Sequence, residues 1–195
     1  QAEKTIAMAK QKLLIAETKD FSHKVVNLMH NRFELDFREL PSEELAQAFC
    51  QYDIFWFRLG HHIDTALLNQ PQRRVHTIVC PVTGLDHIDT ETCRNLGIRI
   101  ISLKGEAEFL KEVRATAELT LNLALSLIRR THLAQKDVLE GNWRRDLFKG
   151  EELYEKKIAI IGYGRLGKIS ADLYRAFGAR TVVYDHDRID DSNGH

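Results

Sequence analysis

The stretch "KKIAIIGYGRLGKISADLYRAFGARTVVYDHD", Lys156–Asp187, decides the fold of this chain. "IAII" predicts a buried strand, and Gly162, Gly164 and Gly167 follow it as G-x-G-x-x-G. A helix starting near Leu166 comes next, Gly178 ends it, and "TVVY" is a second strand closed by Asp185. The three glycines of such a loop serve separate ends: a tight turn, close backbone approach to phosphates, and packing of helix on strand. Ala171 keeps that packing face small. Asp185 lies near the roughly 20-residue spacing at which a carboxylate meets a ribose diol. A carboxylate there accepts hydrogen bonds from both ribose hydroxyls and repels a 2′-phosphate. Asp187 adds to the repulsion and Arg188 offsets part of it. The expectation is an NAD site, rather than an NADP site, built from Gly162, Gly164, Arg165, Leu166, Gly167 and Asp185. A bare glycine turn without ligand is the alternative. It is disfavoured because strand, glycines, helix, stop and terminal acid all occur in order.

Upstream, short β-branched or aromatic runs alternate with amphipathic ones. "KLLIAE" (12–17), "FELDF" (33–37), "DIFWF" (53–57), "HTIVCPV" (76–82) and "IRIIS" (98–102) predict strands. "FSHKVVNLMHNR" (21–32), "PSEELAQAFCQY" (41–52), "HHIDTALLNQ" (61–70) and "DTETCRNLG" (89–97) predict the intervening helices. Ser42 is the expected N-cap of the second helix, and Gly97 the stop of the fourth. His61 and His62 are read as helix-capping residues. This alternation predicts a parallel sheet with helices on both faces, a five-stranded doubly wound domain ending near Ser102.

From Leu103 the texture changes. "LKGEAEFLKEVR" (103–114) is charged and lacks strand character, which suits a crossover between domains. In "ATAELTLNLALSLIRR" (115–130), Glu118 is the sole charge before Arg129, so this helix is expected to be buried in a core or against a second subunit. "THLAQKDVLEGNWRRDLFKGEEL" (131–153) reads as an amphipathic helix running into a polar loop.

Across 195 residues, the 44% apolar and 29% charged content suits an ordinary globular protein, and the zero net charge argues against a nucleic-acid binder. Cys50, Cys80 and Cys93 form no C-x-x-C pair, which disfavours both a disulfide framework and a zinc site; no metal is expected. Gln1–Lys12 lacks the apolar stretch of a secretory signal, and Leu119–Ile128 is too short to span a bilayer. A cytoplasmic protein is the expectation. The missing initiator Met implies a processed or cut chain.

These segments resemble the D-isomer-specific 2-hydroxyacid dehydrogenases. The resemblance rests on "VTGLDHIDTETCRNLGIRI" (82–100), "TAELTLNLALSLIRR" (116–130) and "LEGNWRRDLFKGEELYEKKIAIIGYGRLGK" (139–168). It covers Val82–Asp185 well, while the first 81 residues agree in element order more than in motif. "SLKGEAEFLKEVRATAEL" (102–119) departs from the family, being longer and more charged than its usual loop. The resemblance implies an α/β chain with a flavodoxin-like substrate domain over residues 1–103. The first part of a Rossmann NAD-binding domain follows over 104–195. It further implies that backbone groups of Thr83, Gly84 and Leu85 hold the carboxylate of a 2-hydroxy or 2-keto acid. Arg58 stands where several members carry a substrate-facing Arg; a solvated charge after a buried strand is the alternative. His87 replaces a residue that is often Asn or His and reads as a loop-anchoring hydrogen-bonder. The helix over 115–130 would pack against its counterpart in a homodimer.

The family's hydride transfer uses a His tuned by a Glu, with an Arg gripping the carboxylate, in P-H, acidic and R-G contexts beyond the glycine loop. Here Pro41, Pro71 and Pro81 precede no His, and no Arg precedes a Gly. No catalytic residue is assigned, since a His beside the ribose acid, such as His186, cannot reach the nicotinamide; the same holds for His195. The expectation is a C-terminally truncated NAD-dependent oxidoreductase that does not itself turn over, with "DRIDDSNGH" (187–195) as a cut or frayed end and the edges of its last two strands uncovered. Three readings stay open beside it: a non-enzymatic NAD-sensing protein of corepressor type, an unrelated enzyme sharing only the glycine loop, and an inactive fragment.

Overall fold

The computed structural model describes residues 10–19 and 21–187. Arg188 and His195, with the rest of 188–195, lie outside the described residues. The chain divides into two compact units, residues 1–106 and 107–195.

The first unit is a five-stranded sheet: β1 (Lys12–Ile15), β2 (Glu34–Phe37), β3 (Ile54–Trp56), β4 (Thr77–Cys80) and β5 (Arg99–Ser102). All pairings are parallel and the order is β2-β1-β3-β4-β5, the flavodoxin-like order. Burial follows position. In β3 every residue is buried, whereas the edge strand β5 alternates exposed and half-buried. A strand covered on both faces has no place for a polar side chain, which is why "IFW" and "LLI" read as unbroken apolar runs.

The two sheet faces take alternate residues of each strand. Leu13, Ile15, Ile54 and Trp56 face α1 (His23–Arg32) through Met29, with Phe21 and Phe33 from its flanks. Leu14, Phe55, Phe57 and Ile78 face α2 (Leu45–Gln51), α3 (Thr65–Leu68) and α4 (Thr90–Asn95). Phe49, Phe55 and Phe57 are fully enclosed there, with centroids 5.0 and 5.3 Å apart along the chain of three.

Three local expectations are corrected. Ser42 does not cap α2: it opens a 3-10 turn, Ser42–Glu44, and its carbonyl already accepts from Leu45 inside the turn. Pro41 occupies the extended entry position instead, which its fixed φ favours. The helix expected over 61–70 shrinks to Thr65–Leu68, because Ile63 is held as an extended bridge to Ile88. His61 and His62 therefore do not cap it; Asp64 accepts from the Leu67 N–H, and His61 is buried against Phe55 and Phe57.

The second unit begins with α5 (Ala107–Lys111), α6 (Ala115–Ile128) and α7 (Thr131–Leu139). A parallel β–α–β unit follows: β6 (Lys157–Ile161), α8 (Arg165–Ala176) and β7 (Arg180–Tyr184). Leu121, Ala124, Leu125 and Ile128 of α6 pack on a small core of Leu153, Tyr174 and Ala179. The core of this chain does not enclose α6 by itself: only Ala117 is buried, and Leu119, Leu123 and Leu127 form an outer stripe, at least half exposed. No helix of the described residues is long and apolar enough to cross a membrane.

Candidate functional site

The glycine loop connects β6 to α8. Gly162 adopts φ +93°, which a side chain would strain, and its N–H donates to the Tyr184 carbonyl of β7 at 2.7 Å. Gly167 is required for a different reason. A Cβ there would run into the Gly162 carbonyl oxygen, so only hydrogen allows the first turn of α8 to lie against the loop. Gly164 sits at the N-cap of α8, and a Cβ on it would meet nothing within 4 Å among the described residues. No side chain of the described residues caps this helix start. An open approach to an uncapped helix N-terminus is what a phosphate group needs.

Asp185, just after β7, closes the site. Its carboxylate accepts the Tyr163 N–H at 2.5 Å and the Asp187 N–H at 3.1 Å. These two N–H groups, the Asp187 one first, hold its pKa below the ordinary aspartate value. The acid is therefore an anion fixed to the glycine loop itself, with its remaining lone pairs able to accept from a diol. These residues fit a dinucleotide: a glycine turn open at Gly162 and Gly164, an uncapped helix start and an acid placed to meet a diol lie within one β–α–β unit. Arg165 is placed differently from a free phosphate ligand. Its guanidinium donates to the Leu110 and Val113 carbonyls at 2.9 and 2.6 Å, so toward a phosphate it offers its backbone position at the start of α8. Leu166 follows in that first turn, half-buried.

In the first unit, the loops that follow β1, β3 and β4 lie at the carboxyl ends of parallel strands, where ligands bind in such sheets. Arg58 follows β3 and is neither free nor fully solvated: its Nε lies 3.4 Å from Glu17 Oε2, and its side chain is 36% exposed. Thr83 and Gly84 are exposed after β4, and Leu85 packs on the core. The Thr83 and Gly84 N–H groups donate to no partner among the described residues. His87 anchors this loop: its carbonyl accepts from Ile63 at 2.8 Å, and Nε2 lies 3.4 Å from Cys80 Sγ. Cys80 also donates to the Arg58 carbonyl at 3.2 Å, so one buried thiol touches both loops. Burial pushes that thiol up to about 11, which makes it a hydrogen-bonder and not a nucleophile.

Sequence reading missed Glu17, which it assigned to the end of a strand. An acid directly after a buried apolar strand was the available signal.

Residues 121–194 match the family model described as D-isomer specific 2-hydroxyacid dehydrogenase, NAD binding domain. The chain is 28% identical over 160 residues to a hydroxypyruvate reductase of Thermotoga maritima, covering 81% of this chain and 50% of that protein. It is 32% identical over 155 residues to a glyoxylate reductase of Aeropyrum pernix, covering 76% of this chain and 44% of that protein. Among solved structures, the TT0316 protein from Thermus thermophilus matches with a TM-score of 0.79 at 26% identity, covering 91% of this chain and 57% of that one. The chain thus spans about half the length of the relatives it matches. NAD is the cofactor of the matched domain. Over residues 121–194 the chain matches the NAD-binding domain of the D-isomer-specific 2-hydroxyacid dehydrogenases, and it is similar to relatives of that kind over about three quarters of its length.

Proposed function

We propose that the protein is an NAD-dependent oxidoreductase acting between a D-2-hydroxy acid and its 2-keto acid, of which this chain carries the substrate domain (1–103) and the first portion of the NAD-binding domain (104–195). The observation that carries this reading is the Asp185 carboxylate bound to the Tyr163 N–H inside the glycine loop, beside an uncapped α8. When bound, NAD supplies the hydride acceptor at its nicotinamide ring. The chain's residues bind and orient: Gly162, Gly164 and Gly167 admit the pyrophosphate, Arg165 and Leu166 present the first turn of α8, and Asp185 takes the ribose diol. Arg58 and the loop of Thr83, Gly84 and Leu85 hold the substrate carboxylate. No residue here is assigned to proton transfer, so the 195-residue chain is expected to bind without turnover.

The outer Leu119, Leu123 and Leu127 stripe supports a homodimer through the 115–130 helix, since such a stripe gains by being covered. Three free thiols suit a cytoplasmic setting.

A fluorescence titration tests the cofactor reading. NADH should bind at least about tenfold more tightly than NADPH, and Asp185→Ala should remove that preference, as expected for a lost charge-assisted hydrogen bond. Equal affinity for the two in the unaltered chain overturns the reading.

A further inference from the structure

We infer that Glu17 is a positioning residue for Arg58, holding the Arg58–Gly60 loop so that the free end of the guanidinium faces a substrate carboxylate. This rests on the assignment of Arg58 to that carboxylate under the proposed function.

In the order β2-β1-β3-β4-β5, the chain reverses direction of travel across the sheet between β1 and β3. At such a switch point the loops leaving the two neighbouring strands part, and the crevice between them is where ligands of parallel sheets sit. Glu17 leaves β1 and Arg58 leaves β3, so these two residues flank the crevice.

Their contacts are specific. One carboxylate oxygen, Oε1, accepts three successive backbone N–H groups, from Arg58 at 2.7 Å, Leu59 at 3.0 Å and Gly60 at 2.9 Å. Three N–H groups converging on one point form a nest, and a nest selects an anion. The other oxygen faces Arg58 Nε at 3.4 Å. Burial pushes the Glu17 carboxyl up, but the Gly60 and Arg58 N–H groups, the Arg58 guanidinium and the Leu59 N–H outweigh it and leave the pKa below the ordinary glutamate value. The clamp is thus charged at neutral pH.

The fit is close on the loop side as well. A Cβ at Gly60 would lie 3.2 Å from Oε1 and 3.3 Å from the carboxyl carbon, so a side chain there would push the carboxylate by a few tenths of an ångström. The far side of the Arg58 peptide is also fixed, because its carbonyl accepts from Cys80.

The consequence concerns the guanidinium. Glu17 faces Nε, and among the described residues the two terminal nitrogens of Arg58 make no hydrogen bond. Those two nitrogens form the fork that grips a carboxylate in bidentate fashion. A residue that restrains Nε and leaves the fork unbonded sets the direction of the fork. Glu17 does not repel the incoming anion strongly, since its own charge is already met by three N–H dipoles and Nε.

The test uses the whole chain and oxamate, a small 2-keto acid mimic, as probe. Binding is followed by 15N NMR for the unaltered chain, Glu17→Gln, Arg58→Gln and the double variant. Each single variant should weaken oxamate roughly tenfold, in line with a lost hydrogen bond to a charged group, and the double variant should be no weaker than Arg58→Gln alone. In the unaltered chain the amides of residues 58–60 should shift together with acid, at one midpoint below the ordinary glutamate range. Gly60→Ala, which presses on the carboxylate without changing charge, should weaken oxamate in the same direction and serves if Glu17→Gln does not fold. Arg58→Gln binding oxamate normally would remove the assignment of Arg58, and with it the role given to Glu17. Arg58→Gln weakening oxamate while Glu17→Gln and Gly60→Ala do not would leave Arg58 in place and overturn the positioning role alone. Amides of 58–60 that fail to titrate together overturn it as well.

Discussion

The two parallel sheets of this chain are made from similar residues and end in opposite states. β1 and β3 are enclosed on both faces; Leu14, Ile15 and Phe55 have no exposed surface. β6 and β7, written just as apolar in "IAII" and "TVVY", alternate exposed and half-buried, with Ile161 at 85% and Tyr184 at 66% exposure. The difference is the number of neighbours. Five strands with helices on both faces close a core, while two strands with α6 and α8 close one face only. An apolar run therefore reports what a strand is built to be covered by, and only the assembled layers report whether the cover is present. The glycine loop keeps its geometry regardless, because Gly162, Gly167 and Asp185 are fixed by contacts inside a single β–α–β unit.

The largest expected effect breaks the closed sheet. Phe55→Ala empties the centre of the Phe49–Phe55–Phe57 row and should cost about 3–5 kcal/mol in denaturant unfolding of the first unit. A loss below about 1 kcal/mol would mean the site collapses freely and the enclosure matters less than its burial suggests. Next in size is the open unit. Leu123→Glu places a charge in the middle of the outer α6 stripe, so sedimentation should show a shift from dimer to monomer at a fixed concentration. An unchanged mass sinks the dimer reading. The smallest effect lies at the surface of the closed unit, where the Thr65 hydroxyl, then the Thr92 N–H and hydroxyl, hold Asp89 down to about 2. Its folded pKa is below the unfolded one of about 3.9, so its contribution is full above roughly pH 4 and is lost as pH falls toward 2. Asp89→Asn should flatten the acid limb of stability over that window, read from urea midpoints against pH. A limb of unaltered slope rules the linkage out.

Much of the first unit was legible because strand and helix signals are local. "DIFWF" is too short and too apolar to be anything but a covered strand, and Gly97 and Gly178 marked helix ends that do adopt positive φ. The errors fell where a distant partner overrode a local signal. "HHIDTALLNQ" has a helical look, but Ile63 is drawn into a bridge with Ile88, and the helix waits for Asp64. Ser42 has a capping side chain, but Pro41 and the 3-10 turn take the entry. The uniformly apolar α6 predicted a covered helix, but within this chain only Ala117 is buried, and which of its faces packs depends on where α8 lies.

What the sequence alone determined is whatever a few dozen consecutive residues can specify: the β–α rhythm, the glycine loop, its helix and the acid at the end of the second strand. Their geometry follows from spacing, because one strand, one turn and one helix bring them together. Only the tertiary structure decided that Glu17 meets Arg58, Leu59 and Gly60, residues 41 to 43 positions away. That meeting depends on β1 pairing with β3 across β2 in the chain order, and a strand's choice of neighbour is made by packing of the whole sheet, which no local run of residues encodes.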